Sequence, residues 1–304
     1  MSAPLLSLTA PKSGLEHRYA AVVADGVDDV IALCVRRDDD DHKKGDSLLL
    51  RLRPGRADVV ATLPFVARAV SRAGHDERRF LVVDAADSLF VVVAGVGAPT
   101  LLRSGVRDLK DGVVLGADGS IARVVDDDEG RVVLAPRGSV AGAVVVGTTT
   151  TPGTILLGCA DGSVVEIEDV VVDVGTAKER WRAAATDTSS DGGPVDAVAL
   201  VDGVVAIAAG RCLQVGPARH VLVQPANALA CVGDRWFIGT SAGLFVVDEG
   251  RVMPLRPSLR AHHLVAVRDG LVVVSDLFVA GSDGVDFAVR DLSAFIRVAG
   301  TAAP

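Results

Sequence analysis

Short runs of apolar residues separated by small turns recur along the whole chain. Five stretches show the pattern: FLVVDAADSLFVVV from Phe80, VVLGADGSIARVV from Val113, ILLGCADGSVVEI from Ile155, VVAIAAGRCLQV from Val204 and WFIGTSAGLFVVD from Trp236. Each has three or four apolar residues, a turn of small residues and a second run with alternating apolar positions. Asp-Gly between two such runs is a strong signal for a β-hairpin. The pattern therefore predicts an all-β chain built from hairpins.

The hairpins recur about every 30 to 50 residues, the repeat length of propellers and similar arrays. Further short runs lie between them and give four strands per unit, which is the pattern of a β-propeller blade. We divide the chain into seven units, at residues 17–63, 64–104, 105–137, 138–175, 194–224, 225–259 and 260–300. Six or eight blades stay open, because the second and seventh units can be cut in more than one way. The sequence thus predicts one propeller domain over residues 1–304, with a loop insertion at 175–194.

In such a blade the first strand, A, lines the central channel, and strands B, C and D follow it outward to the rim. The N-terminal segment PLLSLT, residues 4–9, predicts an edge strand that joins the first and last blades. Closure of this kind protects the edges that an open sheet exposes.

One hairpin contains a literal match to the nucleophile elbow of serine hydrolases, G-x-S-x-G, at Gly239-Thr-Ser-Ala-Gly243. That elbow requires a strand followed by a helix, whereas the strand-like run LFVVD follows here. The corresponding turns at Ala117-Asp118 and Cys159-Ala160-Asp161 contain no serine. We therefore interpret Ser241 as a turn residue and not as a nucleophile.

Charge argues against a nucleic-acid partner. The chain of 304 residues has a net charge of −8, and only five of its residues are lysines. Surfaces that follow a phosphate backbone need clustered lysine and arginine. The longest uncharged run, residues 138–160, contains Pro152 and several glycines, so it predicts strands with turns and no membrane helix.

The N-terminus and the cysteines favour a cytoplasmic protein. The first 19 residues contain no basic segment followed by an apolar run, so we see no signal peptide. Cys34, Cys159, Cys212 and Cys231 are scattered, without a C-x-x-C pair. We expect four buried thiols in a reducing cytoplasm, while two disulfides stay the alternative.

The stretch GTSAGLFVVDEG, residues 239–250, is similar to the G-T-x-x-G-L-aromatic repeat of regulator-type propellers. The repeated spacing of strands and turns along the chain resembles that of the bacterial β-propeller proteins of the WD40, quinoprotein and regulator-propeller superfamily. No subfamily is indicated, since the Gly-His…Trp-Asp pair of WD40 repeats, the repeated Gly-Gly of kelch repeats and the sialidase Asp-box are all missing from the sequence. The resemblance implies the fold, and it transfers no site residue and no cofactor.

The regular succession of predicted strands is first interrupted by a run of four acidic residues before His42, namely Asp38, Asp39, Asp40 and Asp41. A calcium loop needs an oxygen ligand where His42 stands, so this run predicts a solvated loop between the second and third strands of blade one. We keep its four aspartates as candidate partner contacts.

The second interruption, residues 175–194, contains Trp181 between Arg180 and Arg182. The pattern Thr176-x-x-Glu179 is a capping box and predicts a short helix over 176–186. Tryptophan and arginine are enriched in interface hot spots, so the three residues predict a partner contact. The alternative is that Trp181 packs back onto blade four or five.

By our division both interruptions lie on one propeller face, at connections that follow strands B and D. The opposite face collects the acidic residues 126–129, 168–169 and 248–249, which predict an acidic rim that aids solubility. His17, His262 and His263 precede inner strands, but we interpret them as ordinary histidines and predict no metal site. The chain has a single asparagine, Asn227, which argues against a calcium-dependent propeller lactonase.

Two functions remain at this stage. The first is a non-catalytic cytoplasmic scaffold or accessory subunit, a monomeric propeller that docks a protein partner within a larger complex. The alternative is a hydrolase or lyase with its site at the channel mouth, using Asp, Glu and His from several blades. A fold alone does not decide between them.

Overall fold

The computed structural model describes residues 7–8, 16–25, 29–37, 45–53, 56–74, 76–169, 178–182, 193–256, 261–267, 270–274, 279–280, 287–288 and 293–297. This part of the chain contains β-strands, turns and loops, and it has no helix. The prediction of an all-β fold is confirmed. No helix in these ranges has the length and hydropathy to cross a membrane.

A two-residue strand, β1 (Ser7–Leu8), comes first. The strands of the first three sheets follow in chain order. Sheet one has β2 (Glu16–Asp25), β3 (Asp29–Arg37), β4 (Gly45–Arg53) and β5 (Arg56–Leu63); sheet two has β6 (Ala67–Arg72), β7 (Arg79–Asp84), β8 (Leu89–Val93) and β9 (Val96–Arg103); sheet three has β10 (Val106–Lys110), β11 (Val113–Gly116), β12 (Ser120–Asp126) and β13 (Val132–Ser139).

The next three sheets also have four consecutive antiparallel strands, except that β15 (Thr148–Thr149) lies between the first two strands of sheet four. Sheet four has β14 (Ala143–Val146), β16 (Thr154–Cys159), β17 (Ser163–Glu168) and β18 (Lys178–Arg182); sheet five has β19 (Ala197–Val201), β20 (Val204–Ala209), β21 (Cys212–Val215) and β22 (Ala218–Val221); sheet six has β23 (Ala226–Val232), β24 (Arg235–Thr240), β25 (Gly243–Asp248) and β26 (Arg251–Arg256).

Sheet seven has three strands within the described ranges: β27 (His263–Val267), β28 (Gly270–Val274) and β31 (Ser293–Arg297). Two short strands precede β31, namely β29 (Val279–Ala280) and β30 (Phe287–Ala288). Apart from β15, β18 and β29, the strands of each of these seven sheets lie within one of the seven predicted units to within two residues at either end.

The first strands of neighbouring sheets contact one another in sequence, from β2 to β6, β10, β14, β19, β23 and β27. The strand β27 in turn contacts β2, so the sheets close into a ring around a central channel. Sheets of four antiparallel strands in a closed ring form a β-propeller, as the sequence predicts.

The second strand of sheet four shows why these strands read as continuous apolar runs. In β16, Ile155 and Leu157 share a buried core with Leu115 of sheet three. Leu156, between them, shares a different core with Val198 of sheet five. Successive side chains of a strand point to opposite faces, so one sheet supplies the cores on both of its sides. Apolar residues therefore occur at consecutive positions in such a strand.

Both ends of the chain take part in closure. The strand β1 falls within the predicted segment 4–9 and pairs antiparallel with β30, which belongs to the last predicted unit. The two form a separate two-stranded sheet and do not extend sheet one or sheet seven. The last predicted unit is joined to sheet one by β29, which pairs antiparallel with the start of β2.

Two features of the fold differ from the prediction. Lys178–Arg182 is the fourth strand of sheet four, so the predicted helix over 176–186 is wrong in this part. The strand β15 leaves sheet four and pairs in parallel with β19, on the channel side of sheet five. Sheet five therefore has five strands, and its innermost strand consists of threonines.

Candidate functional site

The outermost strands of sheets one to six differ in how their open edges are protected. The pairings of β5, β9, β13, β18 and β26 all contain a β-bulge. Three of these strands also contain a proline: Pro99 in β9, Pro136 in β13 and Pro254 in β26. Bulges and prolines discourage a second chain from pairing with an exposed edge. The strand β22 has no proline, and its register with β21 is continuous.

The backbone of β22 presents donors and acceptors at this edge. Leu222 donates its N–H to the carbonyl of Arg211, at 2.8 Å. In an antiparallel pair, residues that bond to the neighbouring strand alternate with residues whose N–H and C=O point away from it. The N–H and C=O groups of Arg219 and Val221 therefore point to the open edge of sheet five.

The side chains beside this edge are apolar and basic. Val221 and Val223 are 70% and 72% exposed, more than any other large apolar side chain in the described ranges. Arg219 is exposed and has no hydrogen bond or ion pair within those ranges. Leu222, which alternates with these residues, packs in the core between sheets five and six. The exposed residues therefore lie on the face of sheet five that is turned to sheet four.

The predicted partner residues Arg180, Trp181 and Arg182 lie in β18, the outer strand of sheet four. Trp181 is the cross-strand partner of Val164, and Arg180 is the additional residue of the bulge. Val164 belongs to the core between sheets four and five. The strand that contains Trp181 is therefore paired with a strand that contributes to this core.

The structure describes only one of the two predicted contact regions. Trp181 was expected in the connection that leaves strand D, on the same propeller face as the acidic loop, but it lies within strand D itself. Asp38, Asp39, Asp40 and Asp41 fall outside the described residues, between β3 and β4 of sheet one. Sequence reasoning missed Arg219, Val221 and Val223, although the missing proline in ARHVLV distinguishes this segment from the outer strands VGAPTLLR and RVMPLR.

Four of the eight carboxylates of the acidic rim form ion pairs. Asp126 pairs with Arg79 at 2.7 Å, and Asp127 pairs with Arg131 at 2.9 Å. Glu129 also pairs with Arg131, at 2.9 Å. Asp169 contacts the arginines at positions 123 and 137. These four carboxylates therefore contribute to contacts within the fold as well as to the surface charge.

Ser241 lies in the turn between β24 and β25, which confirms its interpretation as a turn residue. Its hydroxyl donates to Oε1 of Gln224 at 3.2 Å. Both glycines of the motif have structural causes. A side chain at Gly239 would collide with the carbonyl of Ala261, and Gly243 has φ 151°, a conformation that favours glycine.

Several titratable groups at the channel, among the described residues, take part in structural contacts. Asp108 accepts the N–H of Val146 at 2.7 Å and the N–H of Leu109 at 2.9 Å, so both of its oxygens hold the backbone. Burial raises the pKa of the Cys231 thiol to about 11, which disfavours a nucleophilic thiolate. Nδ1 of His262 lies 3.5 Å from Nδ2 of Asn227. In the described ranges no three His, Cys, Asp or Glu side chains are grouped as metal ligands.

The four cysteines all lie in described strands, and none of them forms a disulfide. Cys34, Cys159 and Cys212 are buried, as expected. Cys231 is half-buried and lines the channel, so the prediction of four buried thiols is wrong for this residue.

Comparison with solved structures supports the fold. The crystal structure of Saccharomyces cerevisiae Sqt1 is similar over 98% of this chain and 100% of that chain, with a TM-score of 0.61 and 10% sequence identity. A structural-genomics protein of unknown function from Bacteroides thetaiotaomicron VPI-5482 covers 88% of this chain, over 68% of its own, with a TM-score of 0.47 and 11% identity. No protein-family model and no curated protein matches the sequence. At this level of identity, the likeness to Sqt1 shows a shared fold.

Proposed function

We propose that this chain is a protein-interaction module, which docks a partner at the outer strands of sheets four and five. A single observation carries the proposal: β22 has neither a bulge nor a proline. The outer strands of sheets one, two, three, four and six all have a bulge, and three of them also have a proline. An edge such as that of β22 is a template for one more strand. We infer that an extended segment of the partner pairs with it.

The side chains beside the edge indicate the chemistry of that segment. Val221 and Val223 offer apolar surface, and Arg219 offers a charge without a counterion in the described ranges. An added strand presents alternate side chains to this face. A segment in which β-branched and acidic residues share one face complements these groups. Arg180, Trp181 and Arg182 are part of the proposal, as contacts from the neighbouring outer strand.

A proline at Val221 tests the role of the backbone. The N–H of Val221 points to the open edge, so Val221→Pro removes a donor for the partner and leaves the pairing of β22 with β21 in place. Val221→Thr is the matched control, because it keeps the N–H and a β-branched shape. We expect a partner isolated with the original protein from extracts of its source cells to be lost with Val221→Pro and retained with Val221→Thr.

Other outcomes contradict the proposal. Equal retention of the partner by both variants shows that the edge is not used. Concentration-dependent dimers of the purified protein, abolished by Val221→Pro, show that the edge pairs with a second copy of the chain. We propose a cytoplasmic location, which is supported by the absence of disulfides among the four cysteines.

A further inference from the structure

A cavity of about 470 Å³ lies along the channel. It is lined by the first strands of six sheets and, at sheet four, by β15 in place of β14. The parallel pairing of β15 with β19 therefore brings Thr148 to the channel wall. Cavities of roughly 300–1,000 Å³ are typical of small-molecule sites.

The cavity has two unlike walls. Charged and hydroxyl side chains from sheets two and three, from the turn after β10 and from β15 form one wall, including Arg68, Arg72, Asp108, Lys110, Asp111 and Thr148. Side chains from sheets one, five, six and seven form the other, and most of them are aliphatic, including Val23, Val201, Leu229 and Val265, with Cys231 and His263 as the exceptions. A ligand that fits both walls is itself amphipathic.

Most charges of the polar wall already have partners. Arg68 donates to the carbonyl of Val106 at 2.6 Å and pairs with Asp87 at 2.9 Å. Asp108 accepts two backbone N–H groups, as described above. Lys110 is half-buried and has no hydrogen bond or ion pair within the described ranges. A half-buried ammonium without a partner is a favourable place for an anion, because much of its solvation is already lost.

We propose that the channel binds a small aliphatic monocarboxylate. Its carboxylate contacts the ammonium of Lys110, and the Thr148 hydroxyl, on the same wall, is a further donor. Its hydrocarbon chain lies along Val201, Leu229 and Val265. Burial of the chain supplies affinity through the hydrophobic effect, and the charged contact fixes its orientation.

Isothermal titration calorimetry with octanoate tests this site, with 1-octanol and inorganic phosphate as comparison ligands. We expect octanoate to bind at one site, and both comparison ligands to bind at least about tenfold more weakly. The reason is that 1-octanol lacks the negative charge and phosphate lacks the hydrocarbon chain. Lys110→Met should lower the affinity for octanoate by about tenfold or more. Arg235→Met, which removes an exposed cation outside the channel, should leave octanoate binding unchanged.

A second variant tests the apolar wall. Ala266 is exposed at the cavity, so Ala266→Trp obstructs it without filling the protein core, and we expect loss of octanoate binding with an unchanged melting temperature. Absence of octanoate binding, equal binding of 1-octanol or phosphate, or retention by Lys110→Met contradicts the proposal. Val221→Pro should not affect octanoate binding, so failure of the docking proposal and failure of this one are distinguishable.

Discussion

Nε of Arg137 lies 2.5 Å from Oδ1 of Asp169, and this ion pair joins the outer strand of sheet three to the segment that follows β17 of sheet four. The side chains of Arg137 and Asp169 are only 5% and 11% exposed. Arg123 contacts the other carboxylate oxygen of Asp169. One carboxylate thus holds two arginines at the boundary between two sheets.

Asp169→Asn should lower the free energy of unfolding by about 3 kcal/mol, because it leaves two arginines with no counterion at a largely buried position. Urea denaturation measures this change. Asp128→Asn, in the exposed loop between β12 and β13, is the control and should change stability by less than about 0.5 kcal/mol. An effect of Asp169→Asn as small as that of the control means that the ion pair contributes little.

The turn of the G-x-S-x-G motif depends on Thr240 and not on Ser241. Oγ1 of Thr240 accepts the N–H groups of Ala242 and Gly243, both at 3.1 Å, and the residue is 1% exposed. Thr240→Val should cost about 1–3 kcal/mol of stability, because it leaves buried donors unsatisfied. Ser241→Ala should change the melting temperature little and should not abolish any esterase activity. Loss of such an activity on Ser241→Ala would restore the nucleophile interpretation.

Stability should fall in acid, and three turn aspartates contribute. The Ser120 hydroxyl holds the pKa of Asp118 below its usual 3.8, and backbone N–H groups of Arg78 and Arg131 do the same for Asp76 and Asp127. A lowered pKa in the folded state means that stability is present above pH 3.8 and is lost as the pH falls through the folded value.

The measurement is urea denaturation at a series of pH values below about 4. Replacing all three aspartates by asparagine, which keeps an acceptor oxygen but does not titrate, should make the loss of stability with falling pH less steep. An unchanged slope would show that other groups account for the acid sensitivity.

Trp181→Ala should weaken the complex with a verified partner by about 2 kcal/mol. The mutated residue lies in a strand opposite the buried Val164, so melting temperature and affinity must be measured on the same variant. A large drop in melting temperature, with affinity reduced only through unfolding, would show that Trp181 packs on the blade.

The sequence predicts the hairpins well because their information is local. Asp118 and Asp161 accept the N–H groups of Ser120 and Ser163, so the A-D-G-S letters determine the turn geometry directly. The helix over 176–186 was predicted from an equally local pattern, the capping box, and pairing with β17 prevails over that preference.

The candidate sites depend on contacts between distant segments. The strand β15 reaches β19 across about 50 residues, and nothing in the run Thr148–Thr149 alone indicates a channel wall. The pair formed by Arg137 and Asp169 crosses from one sheet to the next. The open edge of β22 becomes informative only in comparison with the other outer strands, once the sheets have identified them.

Amide hydrogen exchange of the complex with the partner tests the docking account most directly. An added strand would bond to the amides of Arg219 and Val221, which point away from β21 in the protein alone. We predict that exchange at these two amides slows strongly when the partner binds. In the Val221→Pro variant, which has no amide proton at residue 221, exchange at Arg219 should not slow when the partner is added. Unchanged exchange along residues 218–223, with protection confined to the acidic loop of sheet one or to another face, would contradict the account.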